Sequence, residues 1–467
     1  MGTFQAGVGR VDITPPLSAP HASWGAQVHV FAEAVDLPLM CTALVVDDGD
    51  TRAAWIDFDL IILSTPETQK VQQRVSEETG IPAERVRVSV THNHAGPPPS
   101  SWDWAKTGVA AMKAYYALLP DYAAGAARLA AEKVQPARVG VGRGESFVAV
   151  NRRETAPDGR TVTGTNPGGP IDPEVFVMRI DALDGAPIAA AVGYTMHPTT
   201  LGPSNKTMAT DWPGYLKKTV ETLTGAPTLF AQGATGDIGP GPDGFTDDLS
   251  VIRRLGTSVG AEATIVYNEI QLPKRNYRHE KVWESGAPLG KWTWDPEEGP
   301  APVVRALTTT VTLPLAELMP FDMAEAKLTQ AQEALDSLKA ANADPKEIEA
   351  ATFVVKRANM AFRHVQAFEG KTEAPVEINV LQIGPAVFIG TEGEPFQDIG
   401  KEIKKRSPFP FTWFGGYVGG WAGYIPMPAD YPGKGYEVDT SPFAPEAAGI
   451  LTEAAVKVLE KLAASES

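Results

Sequence analysis

Strand-like and helix-like segments alternate along most of this 467-residue chain, and that alternation constrains its fold more than any other feature. Val86, Val88 and Val90 have the period-two spacing of a strand with one buried face. Other apolar runs typical of strands lie at residues 41–47, 53–60, 139–142, 174–182, 188–195, 228–231, 304–313 and 377–390. We therefore predict an α/β fold in which a mixed β-sheet core is covered by helices.

Three segments have the signals of helices. Ser64 and Glu67 are spaced as a capping box, and Gly80 is placed to end the helix that they begin. Residues 322–369 are rich in Ala, Glu, Lys and Gln and are interrupted at 342–345, which predicts an inserted helical hairpin. Its role stays open between a solvated elaboration, a substrate lid and an oligomer contact. A last helix is expected over about 445–464.

Charge and hydropathy exclude several classes of partner. The chain has 41 Lys and Arg against 57 Asp and Glu, a net charge of −16, which disfavours nucleic acid and anionic membranes. No run of 18 apolar residues suggests an integral membrane segment, and no signal peptide is apparent. We expect a cytoplasmic protein, or a secreted one if a signal peptide has been removed. The expected partner is a small-molecule substrate, with a homo-oligomer left open.

Two histidines follow the strand that ends near Val90. His92 and His94 continue its even-numbered positions, so we expect both imidazoles on one side of the strand end. Such a pair can bind a metal together, or one can bind while the other transfers protons. For an isolated His-x-His the alternative is two surface loop residues.

Other polar residues come directly after predicted strands in the same way. His197 follows the strand at 188–195, and Glu394 follows the apolar run that ends at Gly390. Ligands in α/β folds gather at the carboxyl ends of strands. Two His and one carboxylate also leave an open coordination position in many catalytic zinc sites. Spacing alone only suggests such a site, because these residues are about 100 and 200 positions apart.

Seven short blocks occur in a fixed order along the chain. They read Gly7-Val-Gly-Arg-Val-Asp-Ile-Thr-Pro15, Thr91-His-Asn-His-Ala-Gly-Pro97, Asn151-Arg152, His197-Pro-Thr-Thr200 with Asp211 and Gly214-Tyr215, Gly236-Asp-Ile-Gly-Pro240, Gly393-Glu394, and Tyr424-Ile-Pro426 with Tyr431 and Tyr436-Glu437. No single block is specific for one family. As an ordered set they resemble the blocks of the neutral/alkaline, non-lysosomal ceramidases.

The resemblance implies a zinc-dependent amidohydrolase that cleaves an N-acyl bond with zinc-activated water. The zinc ligands that it implies are His92, His197, Glu394 and Tyr424. It further implies proton transfer by His94, with Arg152 and Tyr436 lining the site. The whole of residues 1–467 is then expected to be one ceramidase-like catalytic domain carrying the 322–369 hairpin.

The sequence also departs from the family pattern. Gly239 stands where the family has a serine, so a serine nucleophile is excluded there and a water route is expected. Gly420-Trp421-Ala422 replaces an N-x-Y element, which changes the expected pocket wall. The family's C-terminal β-sandwich domain is not expected in this chain. We therefore expect a smaller or more polar amide as substrate, with ceramide as one candidate.

Two other functional classes stay open. The first is a carbohydrate-active or ester-cleaving hydrolase on the same scaffold, because a fold does not fix a function. Its candidate sugar platforms are Trp102, Trp104, Trp413 and Trp421. The second is a non-catalytic binding protein.

Overall fold

A computed structural model of the chain describes residues 4–21, 23–101, 107–273, 275–296 and 302–464. The described residues form 21 strands and nine α-helices. The strands are β1 (Gln5–Asp12), β2 (Ala34–Val35), β3 (Met40–Asp47), β4 (Arg52–Phe58), β5 (Val86–Val90), β6 (Gln135–Glu145), β7 (Val150–Thr155), β8 (Thr161–Asn166), β9 (Glu174–Ala182), β10 (Pro187–Tyr194), β11 (Thr207–Met208), β12 (Thr228–Gln232), β13 (Ile238–Gly239), β14 (Arg275–Trp283), β15 (Leu289–Pro296), β16 (Val304–Pro314), β17 (Glu373–Ile383), β18 (Ala386–Thr391), β19 (Glu394–Pro395), β20 (Phe411–Gly415) and β21 (Tyr424–Ile425).

The helices are α1 (Thr65–Thr79), α2 (Val109–Glu132), α3 (Asp211–Thr224), α4 (Leu249–Glu269), α5 (Phe321–Ala340), α6 (Pro345–Phe368), α7 (Gln397–Arg406), α8 (Tyr436–Asp439) and α9 (Ala447–Ala464). The predicted start and end of α1 are confirmed. Ser64 and Glu67 form the capping box, and Gly80 ends the helix with a φ of 72°. Residues 341–344 separate α5 from α6, which pack against each other as a hairpin.

Two β-sheets form the centre of the molecule. The larger has eight strands in the order β12-β10-β9-β6-β1-β3-β4-β5, and the smaller has four in the order β16-β17-β18-β20. Most neighbouring strands are antiparallel, but β10–β12, β4–β5 and β18–β20 are parallel. The α/β fold with a mixed sheet core is therefore confirmed. One expected strand, at 377–390, is in fact parts of β17 and β18, because the chain turns at Gly384 with a φ of 54°.

The two sheets lie face to face between two layers of helices. Apolar residues such as Phe176, Phe388 and Trp413 fill the space between the sheets. Helices α1–α4 cover the outer face of the large sheet, while α7 and α9 cover the outer face of the small one. Gly7 allows α2 to lie directly on β1, since a Cβ there would come within 2.3 Å of the Ala130 carbonyl oxygen.

The two edge strands of the large sheet approach each other. The Gln232 amide nitrogen donates to the Thr91 carbonyl oxygen at 3.1 Å, and the Phe230 N–H donates to Asp57 Oδ2 at 3.0 Å. These bonds join β12 to the end of β5 and to β4 across the curled sheet. As a result, the loops that follow β5, β10 and β12 meet at one place.

A buried ion cluster stabilises this closure. Lys217 of α3 has its Nζ 2.5 Å from Asp59 Oδ1 and 3.8 Å from Asp57 Oδ2, and all three residues are buried. Removing one partner of a buried ion pair leaves an uncompensated charge and costs about 3–5 kcal/mol. We expect Lys217→Ala to lower the free energy of unfolding in urea by that amount. The exposed neighbour makes a matched control, so Lys218→Ala should change it by less than about 0.5 kcal/mol. Equal effects of the two variants would contradict the assignment.

The segment at 273–303, expected from sequence to be a long ordered excursion, contains the hairpin β14–β15. These strands pair only with each other among the described residues. Tyr277, Trp292 and Trp294 are largely exposed on it. No helix in the described ranges is long and apolar enough to cross a membrane.

Candidate metal centre

His92 lies just past the end of β5, in an uncommon backbone conformation. Its φ of 63° is in the left-handed region, which costs a non-glycine residue about 1–2 kcal/mol. The period-two geometry of the strand therefore stops before His92, contrary to the sequence expectation, because the chain already turns there. Its Nδ1 lies 2.8 Å from the Ile61 carbonyl oxygen, which fixes the ring.

His197 follows β10 and faces His92. Its Nδ1 lies 3.0 Å from the Thr235 carbonyl oxygen in the loop after β12. Its Nε2 lies 3.0 Å from the Nε2 of His92, although the two residues are 105 positions apart in sequence. The curled sheet brings the ends of β5 and β10 to this distance.

The donor chemistry of this pair fits a bound cation. A carbonyl oxygen can only accept a hydrogen bond, so each Nδ1 carries the proton and each Nε2 presents a lone pair. Burial lowers the pKa of His92 to about 3 and that of His197 well below its usual range, so both rings are neutral. Two lone pairs at 3.0 Å repel each other unless a cation lies between them. A tetrahedral zinc with bonds of 2.0–2.1 Å holds its nitrogens about 3.3 Å apart.

Glu394 completes a triangle with these two nitrogens. Its Oε2 lies 3.6 Å from the Nε2 of His92 and 3.7 Å from that of His197. Its Oε1 accepts a hydrogen bond from the indole N–H of Trp421 at 3.0 Å. Gly236 lets the loop after β12 pass beneath this carboxylate, because a Cβ there would lie 2.6 Å from the Glu394 carbonyl oxygen.

Tyr424 is placed beside Glu394 by strand pairing. The short strands β19 and β21 run parallel, with Glu394 opposite Tyr424. A hydrogen bond from the Tyr424 hydroxyl favours the ionised form of Glu394, although burial raises the pKa of that carboxyl. Arg152 donates from Nη2 to the Tyr424 hydroxyl at 3.1 Å. The fully buried Glu437 in turn accepts from Arg152 Nε at 2.8 Å.

Tyr436 lies at the outer side of this group. Its ring packs against that of Tyr424 with 5.8 Å between centroids. The side chain is 46% exposed, although burial of its hydroxyl raises the pKa of Tyr436 to about 12.

His94 is held separately but joins the same cluster. Its Nδ1 lies 3.1 Å from the Ser23 carbonyl oxygen, and its Nε2 lies 3.2 Å from the Nε2 of His92. Ligand atoms of His92, His94 and His197 all lie within 4.8 Å of one another. The structure thus offers two donor sets, either three imidazoles or two imidazoles with Glu394. All seven residues proposed from the sequence are grouped here.

Tyr417 is a site residue that sequence reasoning missed. Its ring stacks on His92 with 4.0 Å between centroids, and its hydroxyl lies 2.6 Å from Thr235 Oγ1. The hydroxyl also donates to Glu394 Oε2 at 3.4 Å. Tyr417 belongs to a glycine-rich stretch, residues 415–423, that carries no recognised site motif, so no signal marked it.

The sequence profile described as "Neutral/alkaline non-lysosomal ceramidase, N-terminal" matches residues 4–246. This chain belongs to that ceramidase family. Neutral ceramidase A of Dictyostelium discoideum is 26% identical over 267 residues, which are 52% of this chain but only 37% of that relative. This ceramidase-family chain therefore spans well under two thirds of that relative's length.

Solved ceramidase structures have the same fold as this family member. The neutral ceramidase of Pseudomonas aeruginosa superposes with a TM-score of 0.65 at 17% identity, covering 99% of this chain and 75% of that one. A structure described as ceramidase complexed with C2 also gives 0.65 at 17%, covering 98% and 74%. At this identity the likeness shows the fold alone.

The family match covers only part of the candidate site. His92, His94, Arg152 and His197 lie within residues 4–246. Glu394, Tyr424 and Tyr436 lie beyond them, and distances and strand register bring these three residues to the histidines.

Proposed function

We propose that this chain is a zinc-dependent hydrolase that cleaves the amide bond of N-acyl compounds. The observation that carries the proposal is the convergence of His92 Nε2, His197 Nε2 and Glu394 Oε2 within 3.0–3.7 Å of one another. Each imidazole is oriented by a backbone carbonyl, as metal-bound histidines usually are. Membership of the ceramidase family agrees with an amide substrate.

We assign the metal to His92, His197, Glu394 and Tyr424 and leave His94 outside this set. Glu394 Oε2 lies at nearly equal distances from the other two donors, 3.6 and 3.7 Å, as a third ligand of one ion requires. The Tyr424 hydroxyl, on the paired strand, hydrogen-bonds the same carboxylate. Zinc held there lowers the pKa of a coordinated water to about 7 and polarises an amide carbonyl.

The other residues can transfer protons and bind charge. The Nδ1–H of His94 donates a hydrogen bond to the Ser23 carbonyl oxygen. The Nε2 of the same ring therefore carries a lone pair, which can take a proton from the attacking water. It can then pass that proton to the leaving amine nitrogen when the C–N bond breaks. The Tyr436 hydroxyl and the Arg152 guanidinium can stabilise the developing oxyanion, and a single such donor is typically worth about 3–4 kcal/mol.

Gly239 favours attack by water over a covalent route. A Cβ at this position would lie 3.4 Å from the Cβ of Arg152, so residue 239 faces the candidate site. With glycine there, this position offers no hydroxyl that could accept an acyl group. Hydrolysis should therefore proceed without a burst of acyl-enzyme.

The carbohydrate alternative has lost one of its candidate platforms. Trp413 is fully buried between the sheets, whereas Trp421, whose indole N–H donates to Glu394, is 44% exposed. Trp102 and Trp104 lie outside the described residues.

We further propose that residues 1–467 act as one catalytic domain, because the candidate site takes residues from 92 to 436 and the two sheets share a core.

The test is a substrate panel on the purified chain. Release of free amine should be measured on short N-acyl amines and on N-acyl sphingosines, beside aryl glycosides and aryl esters. We expect amine release without a burst, its loss after chelation and its return with zinc. Glycoside or ester cleavage without amine release would contradict the proposal.

A further inference from the structure

Helix α6 lies over the loop that holds His94. The Nζ of Lys356, near the middle of the helix, donates to the carbonyl oxygens of Gly25 at 3.1 Å and Gln27 at 2.5 Å. Arg363, two turns further on, donates to the carbonyl oxygen of Ser101 at 2.6 Å. Residues seven apart on a helix share a face and lie about 10 Å from each other. Helix α6 therefore contacts two segments, the loop at residues 25–27 and the chain at Ser101.

The loop that Lys356 contacts is the support of the His94 ring. Ser23 accepts from His94 Nδ1 at 3.1 Å, and its own N–H donates to the His94 carbonyl oxygen at 3.2 Å. The ring of Trp24 packs on the imidazole with 5.2 Å between centroids. This loop has neither helix nor strand, so its carbonyl groups need side-chain or solvent partners.

The loop also has contacts other than Lys356, among them the edge-on packing of Trp24 against Phe245 with 5.5 Å between ring centroids. The Gln27 side chain donates to the His29 carbonyl oxygen at 2.9 Å, a bond within the loop itself. Lys356 instead connects the loop to a separate helix, and burial lowers the pKa of its ammonium group. The ammonium group is partly buried, and its bonds to the carbonyl oxygens of Gly25 and Gln27 tie the loop to α6.

We propose that Lys356 is a positioning residue, and that α6 acts through it as a brace that holds the loop of Ser23 and Trp24 against His94. The inserted hairpin then has a role in proton transfer although it contributes no group to the reaction. This inference rests on the proposed function for its kinetic consequence only. The position of the His94 ring can be measured without turnover.

The experiment compares Lys356→Ala with Lys356→Arg and Arg357→Ala. Arg357 is the exposed neighbour on the same helix and serves as a matched control. A displacement of about 1 Å in a catalytic group can cost up to 10²-fold in rate. For Lys356→Ala we expect kcat to fall about tenfold or more, with KM and zinc content close to wild type. Lys356→Arg should recover most of the rate, and Arg357→Ala should match wild type.

A second measurement is independent of activity. The zinc-loaded proteins are treated with diethyl pyrocarbonate, and modification of His94 is read by mass spectrometry. We expect faster modification of His94 in Lys356→Ala only. If the alanine variant is unstable, Lys356→Met preserves the packing of the stem and replaces it.

The outcomes separate this inference from the proposed function. Wild-type protein without amine release contradicts the proposed function, and the reactivity of His94 then decides the brace alone. An unchanged reactivity of His94 in Lys356→Ala overturns the brace, as does an unchanged kcat in an active enzyme. Loss of zinc from this variant would also overturn it, because the effect would then not be confined to His94.

Discussion

Replacing His197 with alanine should remove both the metal and the activity. Its Nε2 is one of the donors that converge at 3.0–3.7 Å, and the ring is buried beside His92 and Glu394. A metal ion supplies several kcal/mol of transition-state stabilisation, and each 1.36 kcal/mol is a factor of ten in rate. Amine release should therefore fall by about 10³-fold or more, and zinc measured by mass spectrometry should fall far below one per chain.

His279 offers a matched control for that experiment. It lies on the exposed hairpin β14–β15, so His279→Ala also removes one imidazole from the chain. This variant should keep its zinc and its rate. Zinc retained at full occupancy in His197→Ala would show that His197 is not a ligand.

Replacing His94 should lower turnover and leave the zinc in place. Its Nε2 is the group that we expect to carry the proton to the leaving amine. General acid–base groups contribute about 10²–10⁴-fold, and kcat for His94→Ala should fall within that range. His94→Asn can keep a hydrogen bond to the Ser23 carbonyl, so it removes the base while preserving the loop.

The zinc content of these two variants is the measurement that could contradict the role assigned to His94. If His94→Ala and His94→Asn both lose the metal, His94 is a ligand and the centre has three imidazoles. The distance of 3.2 Å between the Nε2 atoms of His94 and His92 makes that a real alternative.

The layers of the fold were readable from the sequence to different degrees. Period-two and apolar runs located β3, β4, β5, β9 and β12 nearly to the residue, since burial in a sheet imposes that pattern. The capping box at Ser64 located α1 for an equally local reason. The stacking of two sheets was not predicted, because a run buried on both faces looks the same whether a helix or a second sheet covers it.

The candidate site shows the same limit. His92, His197 and Glu394 each follow a strand, and that position marked them as candidates in the sequence. Their convergence depends on the curl of the large sheet, which bonds such as that from Gln232 to Thr91 maintain over 141 residues of separation. Tyr417 was missed because an aromatic residue in a glycine-rich loop has no period or motif that indicates its neighbours.

The most direct test of the account is the location of zinc in a crystal of the zinc-loaded protein. Anomalous scattering at the zinc edge should give one peak, with the Nε2 atoms of His92 and His197 at 2.0–2.1 Å and a Glu394 oxygen at 2.0–2.2 Å. His94 should lie near this peak and outside bonding distance. A peak bound by three imidazoles with Glu394 displaced would contradict the ligand assignment. Absence of any peak between His92 and His197 would contradict the metal centre itself.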